Sequence, residues 1–248
     1  MAEIIGHTII KLASVDSTNN YAIAHLSKNT WEEGTVVVSG EQINGRGQIN
    51  NLWESEPDQN ILMSIVLYPD FLPVHLQFLI SKIIALGVCE TLLPMVDGVL
   101  IKWPNDIYVG HRKIAGILIE NAIMGNTLYS TVAGIGLNVN QKVFKSDAPN
   151  PVSLIQLTGI KTGIDQLVDE LLKNIDHWFL KLKQGCFEEI DQAYLLHLYR
   201  RGDLAAYNDK TGTFRGILKG VNEIGQLLIQ PEKGALRCYH FKEVEFMR

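Results

Sequence analysis

Apolar residues recur along the chain with two different spacings, which distinguish helices from strands. Between residues 164 and 182 they return every three or four positions, and this places them along one side of a helix. A second apolar run, over residues 73–93, begins at a proline and is interrupted by lysine, glutamate and serine. Such interruptions are typical of a buried helix and not of a membrane span. Shorter helices are predicted after the capping sequence Asp16-Ser17-Thr18-Asn19 and over residues 188–198.

Runs rich in β-branched and aliphatic residues predict buried strands in the first two hundred residues. These runs are residues 34–39, 61–68, 99–103, 107–109, 114–120 and 127–135. After Arg200 the pattern changes to short strands that are separated by glycines, at residues 213–218, 226–230 and 236–241. This change predicts a small antiparallel barrel. The expected fold is therefore α+β, a mixed central sheet flanked by helices, with a main domain over residues 1–198 and a barrel over 199–248.

The composition excludes several classes of protein. The net charge of the 248 residues is −5, which lacks the electrostatics of a nonspecific DNA or membrane binder. The three cysteines are widely spaced without a CxxC pair, and the N-terminus has no signal-peptide pattern. Both features predict a cytoplasmic location with reduced thiols. No HExxH motif or His/Cys cluster occurs, so no protein-held metal site is predicted.

Two polar motifs lie in predicted loops, and each has a structural as well as a functional interpretation. In Gly45-Arg46-Gly47 the glycines let the backbone approach an anion that the guanidinium binds, but an exposed loop with a solvated arginine would look the same. In Lys102-Trp103-Pro104-Asn105-Asp106 a lysine, an amide and a carboxylate meet at a strand end. Strand ends are frequent ligand sites, although Asn and Asp also favour simple turns.

Two further motifs lie in predicted strands. In Lys113-Ile114-Ala115-Gly116 the alternation of a strand predicts Lys113 and Ala115 on one face and Ile114 and Gly116 on the other. A glycine within a strand indicates close approach of a ligand or a backbone, whereas Lys113 could be an edge lysine that blocks aggregation. Gly134-Ile135-Gly136-Leu137-Asn138 is not a dinucleotide fingerprint, and its asparagine would contact a base or cap a loop.

Taken in order, these motifs resemble the biotin protein ligase family. The resemblance covers about residues 14–140, and the C-terminal barrel fits the family's SH3-like domain by length and position. It implies a class II synthetase-like catalytic domain. It also implies an ATP-dependent biotin–[acetyl-CoA-carboxylase] ligase that forms biotinyl-5'-AMP and then transfers biotin to a lysine of a biotin carboxyl carrier protein domain. Mg²⁺ accompanies ATP in that family.

The resemblance assigns roles to particular residues. Biotin would be bound by Ser17, Thr18, Asn19, Gln42, Arg46, Gly47, Gln48, Lys113 and Gly116. ATP would be bound by Arg46, Trp53, Lys102, Asn105 and Asn138. The catalytic residues would be Arg46, Lys102, Asp106 and Lys113. The reaction brings a carboxylate and a triphosphate together, so these cations and Mg²⁺ would offset the repulsion between the two anions.

The glycine-rich loop departs from the family pattern GRGRxGRxW. Gln48, Asn50 and Asn51 replace two arginines and a glycine, which leaves fewer charges to close over the adenylate. We expect residues 44–51 to be mobile in the free enzyme and to be ordered by biotin and nucleotide. The motifs begin at Asp16 and leave no room for the DNA-binding domain of some members, so specific DNA binding is not expected. A homodimer through an edge strand is allowed but not required.

Two alternative functions remain open on the sequence. A lipoate ligase has a related fold and reaction, but its signature is not seen and the motif at residues 102–106 favours biotin. A biotin- or nucleotide-binding regulator without turnover would share the site, and the retained Arg46 and Lys113 argue against it. Biotin-dependent exchange between ATP and pyrophosphate separates the three.

Overall fold

The computed structural model of the protein describes residues 4–26, 28, 31–48, 51–146 and 149–247. Its helices and strands are β1 (Ile9–Val15), α1 (Thr18–Leu26), β2 (Val36–Gln42), β3 (Ile61–Leu67), α2 (Phe78–Leu92), β4 (Val99–Lys102), β5 (Asp106–Val109), β6 (Arg112–Met124), β7 (Thr127–Leu137), α3 (Leu154–Thr158), α4 (Ile164–Lys183), α5 (Phe187–His197), β8 (Leu204–Asp209), β9 (Gly212–Val221), β10 (Leu227–Pro231), β11 (Arg237–Tyr239) and β12 (Val244–Phe246). A 3₁₀ turn at Val74–Leu76 precedes α2.

The strands form two sheets. The central sheet has seven strands in the order β1-β2-β3-β7-β6-β5-β4. Strands β1 and β2 are parallel, and the other neighbouring pairs are antiparallel. The second sheet has five antiparallel strands in the order β11-β10-β9-β8-β12, and it begins at Leu204. The predicted α+β class with a mixed central sheet is confirmed, and the small C-terminal sheet is consistent with an SH3-like barrel. The predicted boundary at residue 198 stays a prediction.

Helices cover both faces of the central sheet because neighbouring strand residues point to opposite sides. Val36 of β2 belongs to the main core, which also contains the buried residues of α2 and α4. Val37, the next residue, packs in a separate small cluster with Ala22 of α1, Val66 and Val132. Helix α1 therefore lies on one face, and α2, α4 and α5 lie on the other.

Helices α2 and α4 supply much of the core. A Cβ atom at Gly87 of α2 would lie 2.4 Å from Cγ1 of Ile175, so the glycine lets the two helices pack closely. The predicted apolar stripe of α4 is buried from Leu167 to Leu182. By length and composition the segment Val74–Leu92 could cross a membrane, but most of it is buried inside this fold, as in the core helix of a globular domain.

Four elements were not predicted from the sequence: β1, α3, β8 and β12. Strand β1 is an edge strand that pairs only with β2 among the described residues, and all seven of its residues are partly or fully exposed. It therefore lacks the apolar run that marked the central strands. Strand β12 has three residues and is defined by its pairing with β8. No pattern in the local sequence indicates this pairing.

Candidate active site

A cavity of about 720 Å³ opens between the α1 face of the central sheet and the second sheet. It brings together the polar motifs of the sequence, which lie on α1, β2, β4, β5, β6, β7 and the loop between β2 and β3. The predicted site residues in its lining are Ser17, Thr18, Asn19, Gln42, Arg46, Gly47, Gln48, Trp53, Lys102, Asn105, Asp106, Lys113 and Gly116. Asn138 is the one predicted site residue outside this lining.

Two glycines of β7 make room for side chains that enter the cavity. A Cβ atom at Gly134 would lie 2.3 Å from Oδ1 of Asn19, and one at Gly136 would lie 2.4 Å from Cε2 of Trp53. The glycines are two residues apart, so they share one face of the strand. The Gly-Ile-Gly motif therefore forms a flat floor, and its glycines are needed for the close approach of Asn19 and Trp53.

One end of the cavity is built by the first residues of α1. Ser17, Thr18 and Asn19 are each less than 5% exposed. Oε1 of Gln42 accepts hydrogen bonds from the backbone N–H of Thr18 at 2.7 Å and from its hydroxyl at 3.0 Å. Oγ of Ser64 lies 2.6 Å from Oδ1 of Asn19 and 2.8 Å from Oγ1 of Thr18. This buried end is lined with paired hydroxyl and amide groups, which suit an uncharged polar ligand.

The loop that follows β2 is folded as a tight hairpin over the cavity. The N–H of Trp53 donates to the carbonyl of Gly45 at 2.8 Å, and the N–H of Gly47 donates to the carbonyl of Asn51 at 2.7 Å. A Cβ atom at Gly45 would lie 2.6 Å from the carbonyl oxygen of Trp53, so this position requires glycine. Ile49 and Asn50, on which part of the loop prediction rests, lie outside the described residues.

Arg46 is held at the mouth of the cavity by side chains of the sheet and of α1. Its Nη2 donates to Oε1 of Glu120 at 2.9 Å, and its Nη1 donates to Oδ1 of Asn20 at 2.6 Å. Oε2 of Glu120 in turn accepts from Nδ2 of Asn19 at 2.8 Å. The arginine loop and the buried end of the cavity are thus joined through one carboxylate.

The centre of the cavity holds Lys113, and the predicted face of this residue was wrong. Its Nζ forms an ion pair with Oδ1 of Asp106 at 2.7 Å and lies 5.6 Å from the centre of the Trp53 ring. A Cβ atom at Gly116 would lie 3.4 Å from the same Nζ, so Lys113 and Gly116 line the cavity together. A register shift between β5 and β6 breaks the simple alternation at this point.

Lys102 lies where the two sheets meet. Its Nζ donates to the hydroxyl of Tyr108 at 3.1 Å and lies 5.5 Å from the centre of the Phe246 ring. Burial lowers the pKa of the Lys102 ammonium, and the nearby carboxylate of Asp106 opposes that shift. A partly dehydrated cation beside the cavity binds an anion more strongly than a solvated one does.

The two asparagines predicted to bind ATP lie in different surroundings. Nδ2 of Asn105 donates to the backbone carbonyl of Ile117 at 2.8 Å, while the residue lines the cavity. Asn138 is 3% exposed and donates from Nδ2 to the carbonyl of Val152 at 3.1 Å. Its Oδ1 is buried without a hydrogen-bond partner among the described residues, as are Oε1 of Gln48 and Nε1 of Trp53. Orphaned buried polar atoms are rare and suit a ligand partner.

The second sheet contributes residues that the sequence analysis missed. Phe241, Lys242 and Val244–Phe246 close one side of the cavity. Nε1 of Trp103 donates to the carbonyl of Gly225 at 2.9 Å, which fixes this sheet against the Lys102 motif. No local pattern could have shown this, because the contact joins residues 122 positions apart.

Among the described residues, no group of three or more His, Cys, Asp or Glu side chains could hold a metal ion. The carboxylates that line the cavity are Asp106 and Glu245. Magnesium commonly binds through one or two carboxylates together with substrate phosphates. The donor set therefore fits an ion that is carried mainly by phosphates.

Comparisons with known proteins show which proteins this chain is similar to. The family model described as the biotin/lipoate A/B protein ligase family matches residues 12–138. The bifunctional ligase/repressor BirA of Bacillus spizizenii is 30% identical over 254 residues, covering 96% of this chain and 74% of that protein. The biotin–[acetyl-CoA-carboxylase] ligase of Paracoccus denitrificans is 29% identical over 236 residues, covering 90% of this chain and 94% of that protein.

A solved structure extends the similarity to both sheets. The biotin protein ligase from Aquifex aeolicus in complex with biotin and ATP matches with a TM-score of 0.81 and 26% sequence identity. The match covers 98% of this chain and 99% of that chain. The similarity therefore includes the C-terminal sheet, which lies beyond the residues that the family model matches.

Proposed function

The chain belongs to the biotin/lipoate A/B protein ligase family, and from this premise we propose how its cavity joins biotin to a carrier lysine. It is an ATP-dependent biotin–[acetyl-CoA-carboxylase] ligase, like the relatives that it matches. The carboxylate of biotin attacks the α-phosphorus of ATP, and pyrophosphate leaves. The amine of the carrier lysine then attacks the acyl carbon of biotinyl-5'-AMP, and AMP leaves.

The observation that carries the residue assignments is the position of Lys113 between two chemically different ends of one cavity. The end at Asn19 is buried and lined with uncharged polar groups. The other end contains Lys102, Asn105 and a side of the second sheet. A ligand that spans both ends has its reacting atoms beside the Lys113 ammonium.

We assign the buried end to the ureido ring of biotin. That ring has one carbonyl acceptor and two N–H donors, and Ser17, Asn19 and Gln42 supply groups of both kinds. Their burial gives selectivity, because a ligand that leaves such groups unpaired loses their hydrogen bonds. Thr18 supports this end through its bonds to Gln42.

The positive side chains at the centre would lower the barrier to adenylation. A carboxylate and a triphosphate repel each other, and Lys113 and Lys102 provide charge where the phosphate negative charge develops. Arg46 adds a third cation from the loop. The pairing of Asp106 with Lys113 holds the ammonium in place and leaves a carboxylate near the point where the carrier lysine must arrive.

Mg²⁺ would enter with ATP and neutralise phosphate charge when bound. The cavity carboxylates nearest the phosphates would be Asp106 and Glu245, a set that suits an ion held mostly by the nucleotide. For adenine we keep Asn105 and Asn138 as the proposed residues, and Trp53 stays a proposed ATP-binding residue. The orphaned Nε1 of Trp53 supports the role of this cavity residue, whereas Asn138 lies outside the lining.

The partner of the reaction is a biotin-accepting carboxylase, as the names of the matched relatives indicate. We propose that the acceptor is the lysine of its biotin carboxyl carrier domain. A homodimer, the absence of specific DNA binding and a cytoplasmic location stay predictions. The matched relatives are named biotin ligases, which favours biotin over lipoate as the substrate.

Biotin-dependent exchange of labelled pyrophosphate into ATP tests the function directly. We expect exchange with biotin and none with lipoate, because the buried end is suited to an uncharged ureido group. Exchange with lipoate alone would establish a lipoate ligase. Binding of biotin and ATP without any exchange would establish a regulator that lacks turnover.

Limited trypsin digestion tests whether ligands order the loop over the cavity. Arg46 is the only arginine or lysine between Lys28 and Lys82. Cleavage after it should be fast in the free enzyme and slow with biotin and a nonhydrolysable ATP analogue, because the anions provide partners that offset an ordering cost of roughly 1–2 kcal/mol per residue. Closure would also keep water from the adenylate.

Cleavage after Lys210 serves as the internal control for the digestion. Lys210 lies in an exposed turn between β8 and β9 and does not line the cavity. Its cleavage rate should be the same with and without ligands. Equal rates at Arg46 under both conditions would contradict ligand-induced ordering, although not the ligase activity.

A further inference from the structure

Glu120 of β6 connects two side chains that the proposed function assigns to different tasks. Its Oε1 accepts from Nη2 of Arg46 at 2.9 Å, and its Oε2 accepts from Nδ2 of Asn19 at 2.8 Å. Arg46 belongs to the loop over the cavity, and Asn19 belongs to the buried end. Glu120 itself does not line the cavity. Any effect it has on ligands must therefore pass through these two neighbours.

The contacts of Asn19 fix which way its amide points. Nδ2 donates to Glu120 and lies 3.3 Å from the carbonyl oxygen of Leu118, while Oδ1 lies 2.6 Å from Oγ of Ser64. The opposite amide orientation would turn Oδ1 towards two acceptors, the Leu118 carbonyl and the Glu120 carboxylate, so these hydrogen bonds favour the orientation shown. A ligand that bonds to this amide therefore acts on a group that is already directed at Glu120.

Arg46 can hold Glu120 and a ligand at the same time. A guanidinium has five N–H donors. The contacts among the described residues use two donors of Nη1, to Asn20 and Glu120, and one of Nη2, to Glu120. Because the group is planar and rigid, fixing these bonds also fixes the direction of the remaining N–H groups.

We propose that Glu120 is a positioning residue that couples biotin binding at the Asn19 end to closure of the Arg46 loop. This inference rests on the proposed function. Biotin that engages Asn19 stabilises the amide orientation that donates to Glu120, and the carboxylate then holds the guanidinium over the cavity. By linkage the effect is reciprocal, so a closed loop raises the affinity for biotin by the same factor.

Glu120→Gln tests the coupling because an amide cannot replace this carboxylate. Glutamine has one acceptor oxygen, and its NH₂ group would face a donor on either Arg46 or Asn19. We expect the KM for biotin in pyrophosphate exchange to rise about tenfold or more, since each tenfold corresponds to 1.4 kcal/mol of lost coupling. The kcat at saturating biotin should change much less. The slowing of trypsin cleavage after Arg46 by biotin alone should be lost.

Glu41→Gln is the matched control. It removes the same charge from β2, and the side chain of Glu41 forms no ion pair within the described parts of the chain. Protection by biotin and the KM for biotin should remain those of the wild type. If Glu120→Gln also keeps the wild-type KM and the wild-type protection, the coupling is refuted.

A double variant separates coupling from a merely structural role. If Glu120 acts through Arg46, adding Glu120→Gln to Arg46→Ala should raise the Kd for biotin little further. Titration calorimetry measures this Kd without turnover, because Arg46 is itself proposed to act in adenylation. If the two factors multiply, Glu120 does not act through Arg46 and the proposal is overturned. The cycle needs both single variants, so thermal unfolding must show that each of them is folded at the assay temperature.

Biotin-dependent exchange by the wild-type protein distinguishes a failure of the proposed function from a failure of the coupling. A wild-type protein without biotin-dependent exchange would contradict the proposed function itself. A wild-type protein with exchange, together with an unaffected Glu120→Gln variant, would contradict the coupling alone.

Discussion

Lys113→Ala is expected to lower the kcat of biotin-dependent ATP/pyrophosphate exchange by about a hundredfold or more, which is the usual cost of losing a charged contact made in the transition state. Its ammonium lies at the centre of the cavity, 2.7 Å from Asp106, and its side chain is 26% exposed. In such partly dehydrated surroundings a charge acts more strongly than in water. The affinity for ATP should fall much less, because Asn105 and Asn138, and not this ammonium, are proposed to bind adenine. Exchange kinetics and titration calorimetry measure the two quantities.

Lys11→Ala is a matched control for this variant. Lys11 also pairs with an aspartate, Asp165, at 2.7 Å, but both side chains are largely exposed on the surface. Exposed ion pairs contribute little, so exchange should stay within about twofold of the wild type. If Lys113→Ala loses ATP affinity while turnover at saturating ATP survives, Lys113 binds nucleotide and does not act at the reacting centre.

The central strands and the long helices could be predicted because local residues determine them. The stripe of α4 from Leu167 to Leu182 depends only on helical spacing, and it is buried as predicted. The sequence could likewise predict that the polar motifs belong to one site, because their residue types and their order carry the family resemblance. The cavity contains all the predicted site residues except Asn138.

The contacts that complete the site depend on pairing between distant segments. The register shift beside Lys113 arises only when β5 pairs with β6, so alternation within β6 alone gave the wrong face. Arg46 and Glu120 are 74 positions apart, and nothing near either residue indicates the other. The second sheet reaches the cavity through its packing on Trp103, which no periodicity in residues 204–247 reveals.

The close contacts at the glycines of β7 could be predicted from the sequence only in part. A glycine inside a strand indicates close approach by some other group. It predicts a close contact at Gly116, and it predicts one equally at Gly134 and Gly136, which face Asn19 and Trp53. The sequence could have predicted a close contact at both positions, although not which side chain makes it.

Gly134→Ala should raise the biotin concentration needed for half-maximal exchange by about tenfold to a hundredfold. The new Cβ atom would lie 2.3 Å from Oδ1 of Asn19, which real contacts do not allow. Asn19 is 3% exposed and is held by Glu120, Ser64 and the carbonyl of Leu118, so its amide cannot move without breaking bonds. Losing the hydrogen bonds of a buried polar group costs about 1–3 kcal/mol, and 1.4 kcal/mol is about a tenfold change in affinity.

The effect should be specific to biotin, because the cavity floor at Gly134 belongs to the buried end, whereas Lys102 and Asn105 lie at the other end. The half-saturating ATP concentration should therefore stay nearly unchanged. Gly163→Ala is the control for adding a methyl group, since the nearest atom to its new Cβ is the flexible amide end of Gln166 at 3.2 Å.

Overpacking can also cost about 1–3 kcal/mol of stability, so thermal unfolding must show that Gly134→Ala is folded at the assay temperature. If the folded variant loses ATP affinity as strongly as biotin affinity, Asn19 does not define a separate biotin end. The two-ended assignment of the cavity would then be wrong.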